Sequence, residues 1–196
     1  STVAIRGQVP ALELTLAELR TGILISTAAM LLLLAAYFQS LRLAILILAP
    51  VPAALAGSAL VLALTGTTLN VQSFLGAIMA IGIGVANSIL LVSFAERSRR
   101  EGASAADAAA NGARGRVRAV LMTAFAMLAG MLPIALGTEQ VAPLGRAVLG
   151  GLSLATVATL AVLPALYALL QRNARAVSPS LDPGDPESRY YEGVQA

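Results

Sequence analysis

Apolar positions along the chain gather into five long blocks, at about 21–38, 43–64, 74–95, 119–136 and 147–170, with short polar segments between them. From Leu43 to Ala95 there is not one charged residue. That stretch is too long for one crossing of a bilayer and suits two, joined by the polar turn Thr65-Gly66-Thr67-Thr68-Leu69-Asn70. A hydrocarbon core roughly 30 Å thick takes about 20 helical residues at about 1.5 Å each, and every block is close to that length. Five in succession predict transmembrane helices rather than buried helices of a water-soluble domain, because a helix satisfies its own backbone in lipid.

Ahead of the blocks, Thr2-Val3-Ala4-Ile5 alternates weakly, as the end of a β-strand does. Gly7-Gln8-Val9-Pro10 breaks that pattern. Pro10 suits the first turn of a helix that runs through Glu13 and Glu18 into the first crossing. The expected fold class is therefore an all-α membrane protein with a short β-strand remnant at its N-terminus. Residues 1–10 are read as the remnant of a domain outside the membrane, 11–172 as the five-helix bundle, and the Pro-, Ser- and acid-rich 173–196 as a disordered tail.

Composition agrees: 58% of residues are hydrophobic and 12% charged, and the mean hydropathy is +0.82. With no cysteine and no histidine, disulfides, thiolate chemistry, imidazole proton shuttles and His or Cys metal sites are excluded within these residues. No enzyme activity, cofactor or metal is expected. All 13 basic residues are arginine, and they lie in loops between apolar spans, which argues against nucleic acid as a partner and for the lipid bilayer. Ten of them fall in the 1–2 loop, the 3–4 loop and the tail, while Arg6, Arg20 and Arg146 fall on the other side. The positive-inside rule then puts the C-terminus in the cytoplasm and the N-terminus outside. The chain opens at Ser1 without Met or a signal region, so a piece of a longer polypeptide is expected.

In lipid, helices associate through close backbone approach. The third span offers Gly76, Ala80, Gly84 and Ser88 at intervals of four, widened by Gly82 and Ala86; the second offers Ala49, Ala53 and Gly57, and the fifth Gly151, Ala155 and Thr159. Either static packing or a sliding contact accounts for these stripes. Pro50 and Pro52, Pro133 and Pro164 are expected to kink or end the second, fourth and fifth spans. In the 3–4 loop, Ser104 followed by Asp107 predicts the start of a short helix. No charged residue is read inside any span, and the polar groups there are few: Gln72, Ser73, Asn87, Ser88, Ser93 and Thr123. A carboxamide such as Asn87 within a span serves as interhelical glue or as part of a polar pathway.

Several strings occur here in a characteristic order. Phe38-Gln39-Ser40 is followed by Gly66-Thr67-Thr68-Leu69-Asn70-Val71-Gln72-Ser73 and by Gly84-Val85-Ala86-Asn87-Ser88-Ile89-Leu90-Leu91-Val92-Ser93-Phe94-Ala95. Arg99-Arg100-Glu101-Gly102, Arg116-Val117-Arg118-Ala119-Val120-Leu121-Met122-Thr123, Gly130-Met131-Leu132-Pro133 and Pro143-Leu144-Gly145-Arg146-Ala147-Val148-Leu149-Gly150-Gly151-Leu152 follow. Together they resemble the C-terminal membrane segment of resistance-nodulation-division (RND) efflux transporters. The resemblance implies the eighth to twelfth helices of a twelve-helix inner-membrane protein, half of its membrane domain, with residues 2–9 ending a periplasmic domain. It implies a proton-driven antiporter exporting small molecules, not transport-competent as this segment alone. The implied partners are the missing N-terminal half, two further copies in a homotrimer, a periplasmic adaptor and an outer-membrane channel. Asn87 and Thr123 are then neighbours of proton-relay acids on the absent half, with Gly76, Ala80, Gly84, Ser88 and Gly151 as packing residues. Departures are also plain: Ala86 stands where drug-pump members carry Lys, Ala119 where the family usually has Pro, and the Glu that metal-exporting members carry on the third span is absent. A Sec-type protein-export subunit and a non-transport scaffold are the alternatives.

Overall fold

The computed structural model describes residues 9–38, 40–138 and 140–172, with side chains from Ala17 onward. Five helical passes run back and forth. The first is α1 (Val9–Phe38). The second is α2 (Leu41–Ile47) followed by α3 (Pro50–Leu64). The third and fourth are α4 (Val71–Arg100) and α5 (Ala105–Leu136). The fifth comprises α6 (Ala142–Val157), a π-helical turn over Ala158–Val162, and α7 (Leu163–Leu170). All five passes are long and apolar enough to cross a membrane. The strand remnant on residues 1–8 and the tail on 173–196 lie outside the described residues, and Val9 and Pro10 already belong to α1.

Local chemistry sets the ends. Asn70 starts α4 with a reciprocal capping box: its side chain accepts from the Ser73 amide at 2.9 Å, and its own amide donates to the Ser73 hydroxyl at 2.9 Å. Ser104 starts α5 as the sequence predicts, accepting from the Asp107 amide at 3.2 Å. The helix does not stop short there, however. It runs without a break into the fourth crossing for 32 residues, because the arginines between loop and span are good helix formers and no proline interrupts them. Pro133, expected to end or kink this pass, sits within its last turn. Pro50 does act as expected, restarting the second pass at the first position of α3, where a missing amide costs nothing. In the fifth pass Pro164 cannot donate to the turn before it; the ladder loosens instead, and the Leu163 amide reaches five residues back to the Ala158 carbonyl.

α6 is the hub, packing on α3, α4 and α5. Its small residues meet small residues: a Cβ built on Gly57 of α3 would press into the Gly150 carbonyl, and one on Gly150 into the Gly57 carbonyl. Beside them the Ser58 hydroxyl donates to the Ala147 carbonyl at 2.8 Å. The stripe on the second pass is therefore Pro50, Ala54, Gly57, Ser58 and Leu62. Of the expected Ala49, Ala53 and Gly57, Gly57 lies in it and the other two are half-buried beside it, because strict four-residue steps drift about 40° each. α1 stands apart from this core: only 6% of its most apolar window is buried, against 44% in α4.

Gly57→Val should destabilise the bundle by about 1–3 kcal/mol, since a rigid backbone cannot yield to the new methyls. Gly82, with nothing within 4 Å of a built Cβ, should accept alanine with unchanged or slightly raised stability. Unfolding of the detergent-solubilised protein, followed by circular dichroism, reads both.

Candidate functional site

α4 presents two contrasting faces. On the first, Gly76, Ala80, Gly84 and Ser88 are all buried and lie against α6. A Cβ on Gly76 would come within 2.6 Å of the Leu144 carbonyl, one on Gly84 within 3.1 Å of the Ala155 Cβ, and one on Gly151 within 2.7 Å of the Ala80 Cβ. Near the loosened turn the Ser88 hydroxyl donates to the Gly84 carbonyl at 2.8 Å and stands 3.4 Å from the Thr159 hydroxyl. The five packing residues read from the sequence are thus brought together in one seam. Gly82 and Ala86 do not widen it; both are exposed, because two residues of helix turn a side chain through about 200°.

The second face is open. Leu75, Met79, Leu90 and Phe94 are exposed along it, and Asn87 sits half-buried at its edge. The Asn87 carboxamide makes no hydrogen bond among the described residues, so a strong donor and acceptor inside an apolar span is left for something else to satisfy. Thr123 does not join it. That hydroxyl is exposed and donates to the Ala119 carbonyl of its own helix at 2.9 Å. Gly112 of α5 lies against Leu91 and Ala95 and Gly115 against Phe94, so counting along the antiparallel pair puts Thr123 at or within about one and a half turns of the Asn87 level.

Three further polar arrangements escaped the sequence reading. Glu96, one residue past the uncharged stretch, is buried, and its carboxylate accepts from the Tyr167 hydroxyl of α7 at 2.6 Å. Tyr167 is wholly enclosed among Leu43, Ile47, Leu91, Ala108 and Leu163. Its signal in the sequence was a lone phenol in an aliphatic span. At the opposite end of the bundle Arg146 is half-buried rather than a solvated loop charge. Its Nε donates to the Ala135 carbonyl at 3.0 Å and one Nη to the Thr67 hydroxyl at 2.6 Å, a cation placed on the C-terminal carbonyls of α5. Arg116 lies with its guanidinium 4.3 Å from the Phe94 ring centroid. Among the described residues, no group of three or more acidic side chains is placed to hold a metal.

The sequence model of the AcrB/AcrD/AcrF family matches residues 2–171. The cobalt-zinc-cadmium resistance protein CzcA of Cupriavidus metallidurans is 34% identical over 167 residues, which is 83% of this chain and 16% of that protein. The cation efflux system protein CzcA of an Alcaligenes species matches equally, with 34% identity and the same coverage. Crystal form II of a heavy metal efflux pump is similar with a TM-score of 0.73 and 37% identity, covering 84% of this chain and 16% of that one. Crystal form I gives 0.72 at the same identity. The chain therefore spans 16% of the relatives it matches.

Tyr167→Phe should cost about 1–3 kcal/mol, because it removes the hydroxyl that donates to the buried Glu96 carboxylate. Glu96→Gln keeps an oxygen acceptor and should cost less. Denaturant titration in micelles ranks the two, and the reverse order would remove the charge-assisted bond from this account.

Proposed function

This chain belongs to the AcrB/AcrD/AcrF family of RND transporters, and on that premise we propose that it is the C-terminal half of the membrane domain of a proton-driven efflux pump of the inner membrane. The observation that carries the reading is Asn87: an unpaired carboxamide on the open face of a helix whose other face is locked by the small-residue seam. A polar group within a span is retained where a partner or a pathway meets it. The partner here is the other half of the membrane domain, with an acidic group that takes up and releases the proton. Asn87 holds that group's hydrogen bond, directly or through water, and the seam keeps α4 from turning away.

The arginine-rich end, with Arg97, Arg99 and Arg100 on α4 and Arg114, Arg116 and Arg118 on α5, faces the cytoplasm in this reading. The relatives are named for cobalt, zinc and cadmium resistance and for heavy metal efflux, which favours a metal cation over an organic drug as cargo. This chain contributes neither cysteine nor histidine to the binding of such a cargo. A homotrimer working with a periplasmic adaptor and an outer-membrane channel completes the reading. No bond-making step is assigned to the chain. The family match favours efflux over protein export or a passive scaffold.

Asn87→Leu in the full-length transporter should slow zinc-dependent collapse of a pH gradient in everted membrane vesicles by at least about tenfold at equal expression, the scale of one lost hydrogen bond to a charged group. An undiminished rate would falsify the role given to Asn87.

A further inference from the structure

α5 is 32 residues long, and a hydrocarbon core takes about 20 helical residues. Counting about 20 back from Leu136, at its far end, reaches Val117; counting about 20 forward from Val71, the start of α4, reaches Leu90. The two counts agree. Gly115 lies against Phe94 and Gly112 against Leu91 and Ala95, which puts Arg118 near the level of Leu90. Arg118 therefore stands at the edge of the hydrocarbon, and Arg114, one turn before it, about 6 Å further out at headgroup depth.

Around the helix axis Arg114, Arg118, Leu121, Phe125 and Leu132 fall within an arc of about 60°, and all five are exposed. Arg116, two residues from each arginine, is turned roughly 160° away from them and rests on the Phe94 ring. The arc thus faces away from α4 and from Asn87. Neither Arg114 nor Arg118 has a hydrogen bond or ion pair among the described residues. Along this strip two unpaired cations at headgroup depth are followed by bare hydrocarbon side chains at acyl depth.

A phospholipid offers the complementary order, an anion and then a chain. We infer that this strip of α5 binds one anionic phospholipid of the leaflet at the arginine-rich end. Its phosphate sits between Arg114 and Arg118, and an acyl chain lies along Leu121 and Phe125. A guanidinium keeps its charge and offers phosphate oxygens a planar fork of donors. Two of them one turn apart favour a lipid of net negative charge over a zwitterionic one. A free phosphate would leave Leu121 and Phe125 uncovered, and a protein partner is disfavoured because the strip is turned away from the face given to the other membrane half. The inference stands on the bilayer crossing and not on the role proposed for Asn87.

Native mass spectrometry of the full-length transporter, titrated with phosphatidylglycerol, tests this. Arg114→Gln/Arg118→Gln should bind its tightest lipid about tenfold or more weakly than the unaltered protein. Arg100→Gln, about 15 Å beyond the hydrocarbon edge, should leave that affinity unchanged, and phosphatidylcholine should bind all three proteins equally weakly. Undiminished affinity in the double variant, or an equal loss in Arg100→Gln, overturns the site. Displacement of the lipid by inorganic phosphate assigns the arginines to a free anion and overturns the inference. So does a fall in the double variant's melting temperature that is equal in phosphatidylcholine and phosphatidylglycerol nanodiscs, because it assigns the strip to a protein contact.

Discussion

Hydrocarbon gives apolar side chains no reason to cluster, so this bundle depends on backbones that come close enough for dispersion and hydroxyl–carbonyl bonds to act. That requirement explains why α6 is lined with glycine and alanine on the sides that meet α3 and α4. The Gly57–Gly150 approach, the Ser58–Ala147 bond and the Gly151–Ala80 contact are consecutive parts of one surface. Because no side chain stands between the helices there, the surface resists deformation. It fixes the orientation of α4, and the open face of α4 that carries Asn87 inherits that orientation.

From this follows a division between closed and open surfaces. The seam, the Glu96–Tyr167 bond at one end and the Arg146 contacts at the other hold α3 to α7 together at both ends of the passes. α1 shares little of this, packing mainly against α2. The open surfaces are α1, the outer side of α5 and the Asn87 face of α4. The relatives, of which this chain spans 16%, carry ample further polypeptide. In water such exposed leucines and phenylalanines would demand burial; in a bilayer they are indifferent to lipid, and it is the polar residues among them that discriminate.

The passes were legible because length and apolarity alone decide them, and so was the cap at Ser104, which depends on neighbouring residues. The seam on α4 was legible for the same reason: a four-residue repeat of small side chains names one face. What failed was whatever depends on a distant partner. Gly82 and Ala86 are as small as Gly84, yet helical rotation puts them on the other side. Thr123 matches Asn87 in polarity, and its hydroxyl donates to the Ala119 carbonyl of its own helix. Glu96 was read as the edge of an apolar stretch, since nothing near it in the sequence says that Tyr167, 71 residues later, closes over it. Proline positions were legible and their effects less so, because Pro133 falls within a terminal turn while Pro164 is absorbed by a change of helical pitch.

That change of pitch acts on the chain as a frameshift acts on a message. Thr159 and Tyr167 are eight residues apart, so in an uninterrupted α-helix their side chains would diverge by roughly 80°. One residue of slack before Pro164 cuts the divergence to roughly 20°, and both side chains address α4, one beside Ser88 and the other at Glu96. The spare residue is thus a phase corrector. Ironing the turn into a regular helix with the sequence intact would swing the phenol out of alignment, whereas excising one position from 160 to 162 along with the turn would leave seven residues and the same divergence of roughly 20°.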